Sequence, residues 1–340
     1  MPSQLPVVAV VGATGAVGAA FLESLATRKF AMKDLRLLAS ARSAGKTLDF
    51  AGKPVAVQEL TNDSFVGVDI ALFSAGSGIS KTFAPIAVKA GAVVIDNSSA
   101  FRMDADVPLV VPEVNAGEIA RHKGIIANPN CSAIISMTPV WSVHRINPLT
   151  RVIISTYQAA SGAGAAAMEE LLESTRAYLD GKVYPPKVLP HPYAFNVFSH
   201  NAAIEMDTGY NGEESKIAAE TRKIFGVPNL AISATCVRVP VLRAHACSVT
   251  FECERPITPE TVRDLLAKAP GIKLVDDRAK NYFPMPRDAS GQEAILVGRI
   301  RQDLSDPSGR SISLFTSGDQ LLKGAAQNAV QIAELVTRLK

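Results

Sequence analysis

A chain of 340 residues exceeds the usual single-domain size of about 100–200 residues and implies two domains. With 47% hydrophobic and 20% charged residues it has globular composition, which excludes a disordered chain or a coiled coil. A net charge of +3 without a basic run gives no reason to expect nucleic acid or a membrane surface as partner. No stretch reaches the roughly 18 uncharged apolar residues needed to cross a bilayer. The start Met1-Pro2-Ser3-Gln4 has no basic region and runs into Val7–Val11, so no secretory signal is read. Four cysteines, at 131, 236, 247 and 253, are too sparse for a disulfide framework; free thiols and a cytoplasmic setting are expected.

The first third alternates short apolar runs with helical spacing. Val7–Val11, Leu35–Ala39, Ile70–Phe73 and Val93–Ile95 read as buried parallel strands. Val17, Ala20, Phe21 and Leu25 fall on one helical face between the first two. That rhythm predicts a Rossmann-type, doubly wound sheet over residues 1–130. From about residue 150 the texture becomes α+β. Arg151–Gln158, Leu230–Val239, Ser248–Glu254, Ala294–Arg301 and Ser311–Thr316 are predicted strands of a largely antiparallel sheet, in a catalytic and dimerisation domain over residues 131–319. Pro185–Ser199 reads as a structured loop or arm. Gln320–Leu339 is predicted as a final helix that packs back onto the first domain.

Between the first strand and helix lies Gly12-Ala13-Thr14-Gly15-Ala16-Val17-Gly18. Glycine permits a tight turn and close backbone approach, and a helix N-terminus offers free N–H groups to a pyrophosphate. The spacing is GxxGxxG, so its place between strand and helix carries the reading. At the end of the second strand an acidic residue would bind the ribose of NAD. Here the chain reads Ser40-Ala41-Arg42-Ser43. A guanidinium and hydroxyls suit a 2′-phosphate, which favours NADP.

Further on stands Asn128-Pro129-Asn130-Cys131-Ser132. Asn130 is a good helix N-cap and would place Cys131 in the first helical turn, where thiolate is favoured over thiol. Thiol plus nicotinamide implies acyl-enzyme redox chemistry. Cys236 and Cys253 sit in apolar strands and read as small buried hydrophobes. Pro139 is expected to kink or end the helix that Cys131 begins.

These residues, with Ser74-Ala75-Gly76-Ser77, Val111–Asn115, Thr156–Gln158, Ser161–Gly164, Gly209–Glu214, Arg238–Val241 and Lys323–Ala326, resemble the aspartate-β-semialdehyde dehydrogenase family over nearly the whole chain. The resemblance implies a glyceraldehyde-3-phosphate-dehydrogenase-like α/β fold. It also implies NADPH-dependent reductive dephosphorylation of β-aspartyl phosphate in lysine, methionine, threonine and diaminopimelate biosynthesis. Cys131 would be the nucleophile, His245 the acid/base with a pKa near neutral, and Gln158 the amide that orients the acyl group. Arg238 would bind the substrate carboxylate, Glu213 its ammonium, and Arg102 with Lys216 the phosphate, with Asn130 and Ser161 beside them. Gly12, Thr14, Gly15, Ala16, Val17, Ser40, Arg42, Ser43, Ser74, Gly76, Gly162 and Gln320 would hold the cofactor; no metal is implied. His122, His144, His191 and His200 are set aside as surface or loop residues. A homodimer or homotetramer through the second domain is expected.

On the residues alone, Glu213 and Lys216 at i,i+3 also suit an ordinary exposed helix pair. The chain departs from the family pattern at Ala244, where glycine is usual before the histidine, and at Cys247, Ala133 and Gln320. N-acetyl-γ-glutamyl-phosphate reductase has the same plan and is an alternative. A non-catalytic paralogue that binds nucleotide is an alternative of another class.

Overall fold

The computed structural model describes residues 5–339; the reading of the extreme N-terminus falls partly on residues 1–4, outside them. The chain divides into two units: residues 1–130 with 325–340, and residues 131–324.

The first unit opens with β1 (Val7–Val11), α1 (Ala16–Thr27) and β2 (Asp34–Ala39). A hairpin follows, β3 (Thr47–Phe50) and β4 (Lys53–Glu59), then β5 (Ile70–Phe73), α2 (Ser77–Lys89) and β6 (Val93–Asp96). A short α3 (Pro112–Asn115) and β7 (Ile125–Ala127) complete it. The strands form one sheet in the order β3-β4-β2-β1-β5-β6-β7, parallel except for the β3–β4 hairpin. The central strands β1, β5 and β6 are covered on both faces, which is why they read as unbroken apolar runs. Val11, Leu38, Phe73, Ala84 and Val94 share one core cluster, with Phe65 stacked on Phe73 at 5.8 Å between ring centroids.

The second unit begins with α4 (Cys131–His144) and β8 (Leu149–Gln158). It continues through α5 (Ala165–Leu179), β9 (Phe198–Ser199), α6 (Gly212–Phe225), β10 (Ala231–Arg238) and β11 (His245–Cys253). α7 (Pro259–Leu266), β12 (Ile272–Leu274), α8 (Pro286–Ala289), β13 (Ile295–Gln302) and β14 (Ser311–Gly318) complete it. The sheet order is β12-β13-β14-β11-β8-β10-β9. The β12–β13 and β8–β10 pairs are parallel and the other neighbours antiparallel. α4 packs on β8, β11 and β14.

Of the two outcomes expected at Pro139, a kink or an end, the end does not occur: α4 runs on to His144 with Pro139 itself buried. The lost N–H costs one bond, while every residue from Ser132 to Val140 is buried, so packing holds the helix together. The final helix, α9 (Gln327–Leu339), starts later than Gln320 and follows a wide π-type turn, Leu322–Ala326. Asp319 imposes that turn: its carboxylate accepts from the N–H groups of Leu321 and Leu322, and its carbonyl from Gly324. Within the first unit α9 packs on α1, where Arg28 and Glu334 pair at 2.7 Å.

Candidate active site

In the first unit the glycine loop leaves β1 through Gly12, at φ +85°. A Cβ at Gly12 would lie 2.4 Å from the Ser74 carbonyl oxygen, and one at Gly18 would lie 2.3 Å from that of Gly12. The loop is therefore pressed against β5 on one side and the base of α1 on the other, as only glycine allows. Thr14 and Gly15 are exposed at the start of α1, whose first-turn N–H groups and dipole favour an anion. Gly76 caps α2 at φ +87° with open space where a side chain would stand. Ser40 and Arg42 are exposed beyond β2 with no carboxylate beside them in sequence, while Ser43 is buried, with its N–H donated to the Ser40 carbonyl. An exposed glycine loop at a helix N-terminus, followed by a basic loop, fits a phosphorylated dinucleotide.

Arg102 also belongs to this unit and is buried. Its Nε donates to the Asn128 carbonyl at 3.0 Å and its Nη2 to that of Asn97 at 2.7 Å. Asn130, the unit's last residue before Cys131, is buried.

In the second unit the sheet register gathers three polar side chains at one edge. β10 runs parallel to β8 so that Arg238 pairs with Gln158. β11, antiparallel to β8, sets Ala246 opposite Tyr157, so its first residue, His245, falls at the level of Gln158. All three are buried, His245 completely. Cys131 is the first residue of α4 and is half-buried, whereas Cys236, Cys247 and Cys253 are fully enclosed; all four thiols are free. Burial pushes Cys236 and Cys253 up to about 12 and Cys247 higher still. Cys131 is near enough to Arg238 and Cys236 for a thiolate there to raise the pKa of both. Gly324 closes on the cysteine, since a Cβ there would lie 3.0 Å from Cys131 Cβ.

The Gln158 amide donates to Ser132 Oγ at 2.8 Å and to Glu213 Oε1 at 3.1 Å. Glu213 sits in the first turn of α6, where the Asn211 side chain accepts from the N–H groups of Glu213 and Glu214. Lys216, one turn on, holds its Nζ 3.8 Å from Glu213 Oε2, so the i,i+3 pair exists. Glu213 is nevertheless buried, and a buried carboxylate tied to Gln158 is more than an exposed helix pair.

His245 Nδ1 accepts the Ala159 N–H at 3.0 Å, which leaves the neutral ring's proton on Nε2. Nε2 is buried and has no protein partner. Gly162 makes room there: a Cβ would meet Nε2 at 2.9 Å and Arg238 Nη1 at 3.1 Å. The expected near-neutral pKa is corrected: burial first, then the Arg238 charge, lowers His245 to about 3. The ring is neutral at pH 7 and presents an N–H.

Gln320, expected at the cofactor, has its amide engaged inside this unit. Oε1 accepts the Ala244 N–H at 3.0 Å and Nε2 bonds Ser161 Oγ. Ala244 lies at φ +71°, a left-handed conformation, which accounts for the glycine usual in the resembling family.

Of the histidines set aside, His200 lies in a loop, as expected, and His144 in a helix, and both are half-buried. His144 lies in α4 against Trp141 and Phe225, with Nδ1 accepting from Leu149 N–H. His200 is half-buried with Nε2 2.8 Å from Arg238 Nη2. The remaining Arg238 bonds run from Nε to Asn201 Oδ1 at 3.1 Å and from Nη1 to the Ala159 carbonyl at 3.1 Å. His200 and Asn201 lie outside any periodic pattern; the signal that could have found them was an aromatic and two polar residues closing a proline-rich arm.

Residues 7–122 match the family described as semialdehyde dehydrogenase, NAD binding domain, and residues 142–323 match the semialdehyde dehydrogenase dimerisation domain. Fold and site thus define a two-domain semialdehyde dehydrogenase. Among curated relatives, an aspartate-semialdehyde dehydrogenase of Synechocystis is 53% identical over 336 residues, 99% of this chain and 98% of its own. That of Bacillus subtilis is 48% identical over 340 residues, covering 98% and 97%. The solved structure of Vibrio cholerae aspartate semialdehyde dehydrogenase II complexed with ASA superposes with a TM-score of 0.95 at 46% identity, covering 99% of both chains. The chain belongs to the aspartate-semialdehyde dehydrogenase family. No helix among the described residues is long and apolar enough to cross a membrane, and no group of three or more potential metal ligands occurs among them.

Proposed function

We propose that the enzyme converts β-aspartyl phosphate and NADPH into aspartate semialdehyde, phosphate and NADP, working as a homodimer through its second unit. The observation that carries this reading is the half-buried Cys131 opening α4, in the unit where His245 presents an unpartnered, buried Nε2 beside Arg238.

The α4 N-terminus favours thiolate at Cys131. The thiolate attacks the acyl phosphate, the C–S bond forms, the C–O bond to phosphate breaks, and phosphate leaves with the electron pair. Arg102 and Lys216 are the cations assigned to that leaving group. Residues 12–17 and Arg42 would hold the dinucleotide, which when bound would supply hydride to the thioester carbonyl. His245 meets the resulting oxyanion as an Nε2–H donor. Negative charge on that oxygen raises the imidazole pKa from its depressed value, so the ring gains affinity for a proton where one is handled. Collapse of the hemithioacetal oxyanion re-forms the C=O bond, breaks the C–S bond, releases the aldehyde and returns the thiolate. Arg238 binds the substrate carboxylate, Glu213 its ammonium group, and Gln158 the acyl oxygen.

The test is phosphate-dependent reduction of NADP with aspartate semialdehyde, run beside the N-acetylglutamyl analogue. Turnover confined to the aspartyl substrate and abolished in Cys131→Ser is expected. Preference for the longer substrate, or full activity of the serine variant, would overturn the reading.

A further inference from the structure

One side chain that the chemistry above leaves out ties the first turn of α6 to the strand that carries Arg238. Glu214 is buried, and each of its carboxylate oxygens accepts a main-chain N–H. Oε2 takes that of Asn211 at 2.9 Å, which completes the cap of α6. Oε1 takes that of Cys236 at 2.8 Å. Cys236 is buried on β10, two residues before Arg238. Its carbonyl accepts the His200 N–H at 2.9 Å, whereas β9 itself pairs with Val237 and Arg238 alone. The N–H and carbonyl of one strand residue point to the same edge, so the Cys236 N–H stands where the β9 ladder has run out. A buried N–H left there without an acceptor would be costly, and Glu214 supplies the acceptor.

That bond sets a spacing the substrate depends on. Glu213, next to Glu214 in α6, is assigned the ammonium group and Arg238 the carboxylate, and aspartate semialdehyde carries both on one carbon. Two receptors on different elements grip such a pair only if their separation is held. α6 packs on α4 and β10, but the loop leading into it is exposed from Ala203 to Tyr210, so no burial locates the helix start from that side. Arg238 is fixed from its own side by bonds to Asn201 and Ala159. A carboxylate accepts on both oxygens and so bonds helix and strand at once. An amide in its place would set its own NH2 against one of the two N–H groups. We infer that Glu214 is a positioning residue: by tying the α6 start to β10 it holds Glu213 and Arg238 at the separation that selects an aldehyde bearing both an ammonium and a carboxylate. This rests on the roles given to Glu213 and Arg238 above.

The test is steady-state kinetics of the full-length enzyme in the phosphorylating direction with three aldehydes. Aspartate semialdehyde carries both groups, succinic semialdehyde lacks the ammonium, and 3-aminopropanal lacks the carboxylate. Glu214→Ala removes both bonds. Its kcat/KM for aspartate semialdehyde, taken relative to either one-group aldehyde, should fall about tenfold or more. A general structural loss, or one relayed through the Gln158–Glu213 bond, lowers all three alike and cancels in the ratio. KM for NADP should stay within about twofold. Glu214→Gln keeps one acceptor and should fall between the parent and the alanine variant; it carries the test if the alanine variant does not fold. Hydrogen exchange at the Cys236 amide should be at least tenfold faster in Glu214→Ala than in the parent. An unchanged ratio in a folded variant, or equal losses on all three aldehydes, would overturn the positioning role, as would unaltered exchange at Cys236. If the parent itself takes the one-group aldehydes as well as aspartate semialdehyde, the roles of Glu213 and Arg238 fall, and that of Glu214 with them.

Discussion

Gln320→Ala separates two roles for one side chain, cofactor contact and internal brace. The Gln320 amide is buried and joins the Ala244 N–H to Ser161 Oγ. Alanine leaves the Ala244 N–H, which is fully buried, without an acceptor; an unsatisfied buried donor costs about 1–3 kcal/mol. The lost bond to Ser161 and the space vacated bring the total to roughly 2–4 kcal/mol. For a cooperative unit of the second domain's size this is about 5–15 °C in Tm. Ala244 is held at φ +71°, so the residue that needs most constraint is the one released, and His245 follows it directly. kcat should therefore fall while KM for NADP changes by less than about threefold. Gln320→Asn is one methylene too short to span both partners and should give an intermediate Tm. Calorimetry and initial-rate kinetics on the three proteins decide the matter. An unchanged Tm together with a tenfold rise in KM for NADP would show that the amide serves the cofactor and that the brace is incidental.

Iodoacetamide at pH 7 should label Cys131 alone and abolish turnover. At a pKa of about 12, Cys236 and Cys253 hold a thiolate fraction of roughly one in 10⁵, so comparable labelling of either by peptide mapping would contradict the assignment. Arg42→Ala should weaken NADP binding about tenfold to a hundredfold and NAD binding little, measured by fluorescence titration, because only NADP carries the 2′-phosphate; equal losses would remove Arg42 from cofactor discrimination. Burial would raise Glu170, but N–H donors from Leu189, Lys187 and Val188, with the Lys187 charge, win and lower its pKa. A carboxylate depressed on folding stabilises above its ordinary pKa of 4.5 and loses that effect as pH falls through the folded value. Protection of the amides of residues 187–199, relative to their intrinsic exchange rates, should thus weaken in the parent as pH falls below the ordinary 4.5, and Glu170→Gln should already lower it at least tenfold at pH 7; identical protection at pH 7 would show that Glu170 does not anchor the arm.

Much of this was readable because buried parallel strands have no solvent face. Val7–Val11 and Ile70–Phe73 have the expected bounds, and the glycine loop stands where strand gives way to helix. The β3–β4 hairpin is not legible in the sequence, since β3 alternates between exposed and half-buried, β4 buries only Val57, and Pro54 argues against a strand. The second unit was legible as strands but not as a register. Nothing in Arg238 or His245 alone says that β10 runs parallel and β11 antiparallel to β8, and it is that pairing which brings both to the level of Gln158. His200 is unmarked in the sequence for a related reason: a histidine in an aperiodic arm has no neighbour pattern, and only its two nitrogen partners distinguish it from a solvated one.

The same contacts explain why a left-handed alanine is tolerated beside the reactive histidine. A residue other than glycine at φ +71° costs about 1–2 kcal/mol. Against it stand the bond from Gln320 to the Ala244 N–H, the burial of the Ala244 methyl with Ala289 and Leu296, and the Arg243–Asp319 pair at 2.7 Å one residue upstream. Asp319 also sets the turn that brings Gly324 against Cys131. Residues 318–324 therefore serve both ends of the chemistry, bracing the start of the histidine strand and closing on the cysteine. A departure from glycine at 244 and the long amide at 320 are then one coupled feature: the longer side chain holds in place a backbone that alanine alone would not favour. Ala244→Gly keeps the bonded N–H and relieves the left-handed strain, losing only the buried methyl, so it should change Tm far less than Gln320→Ala does.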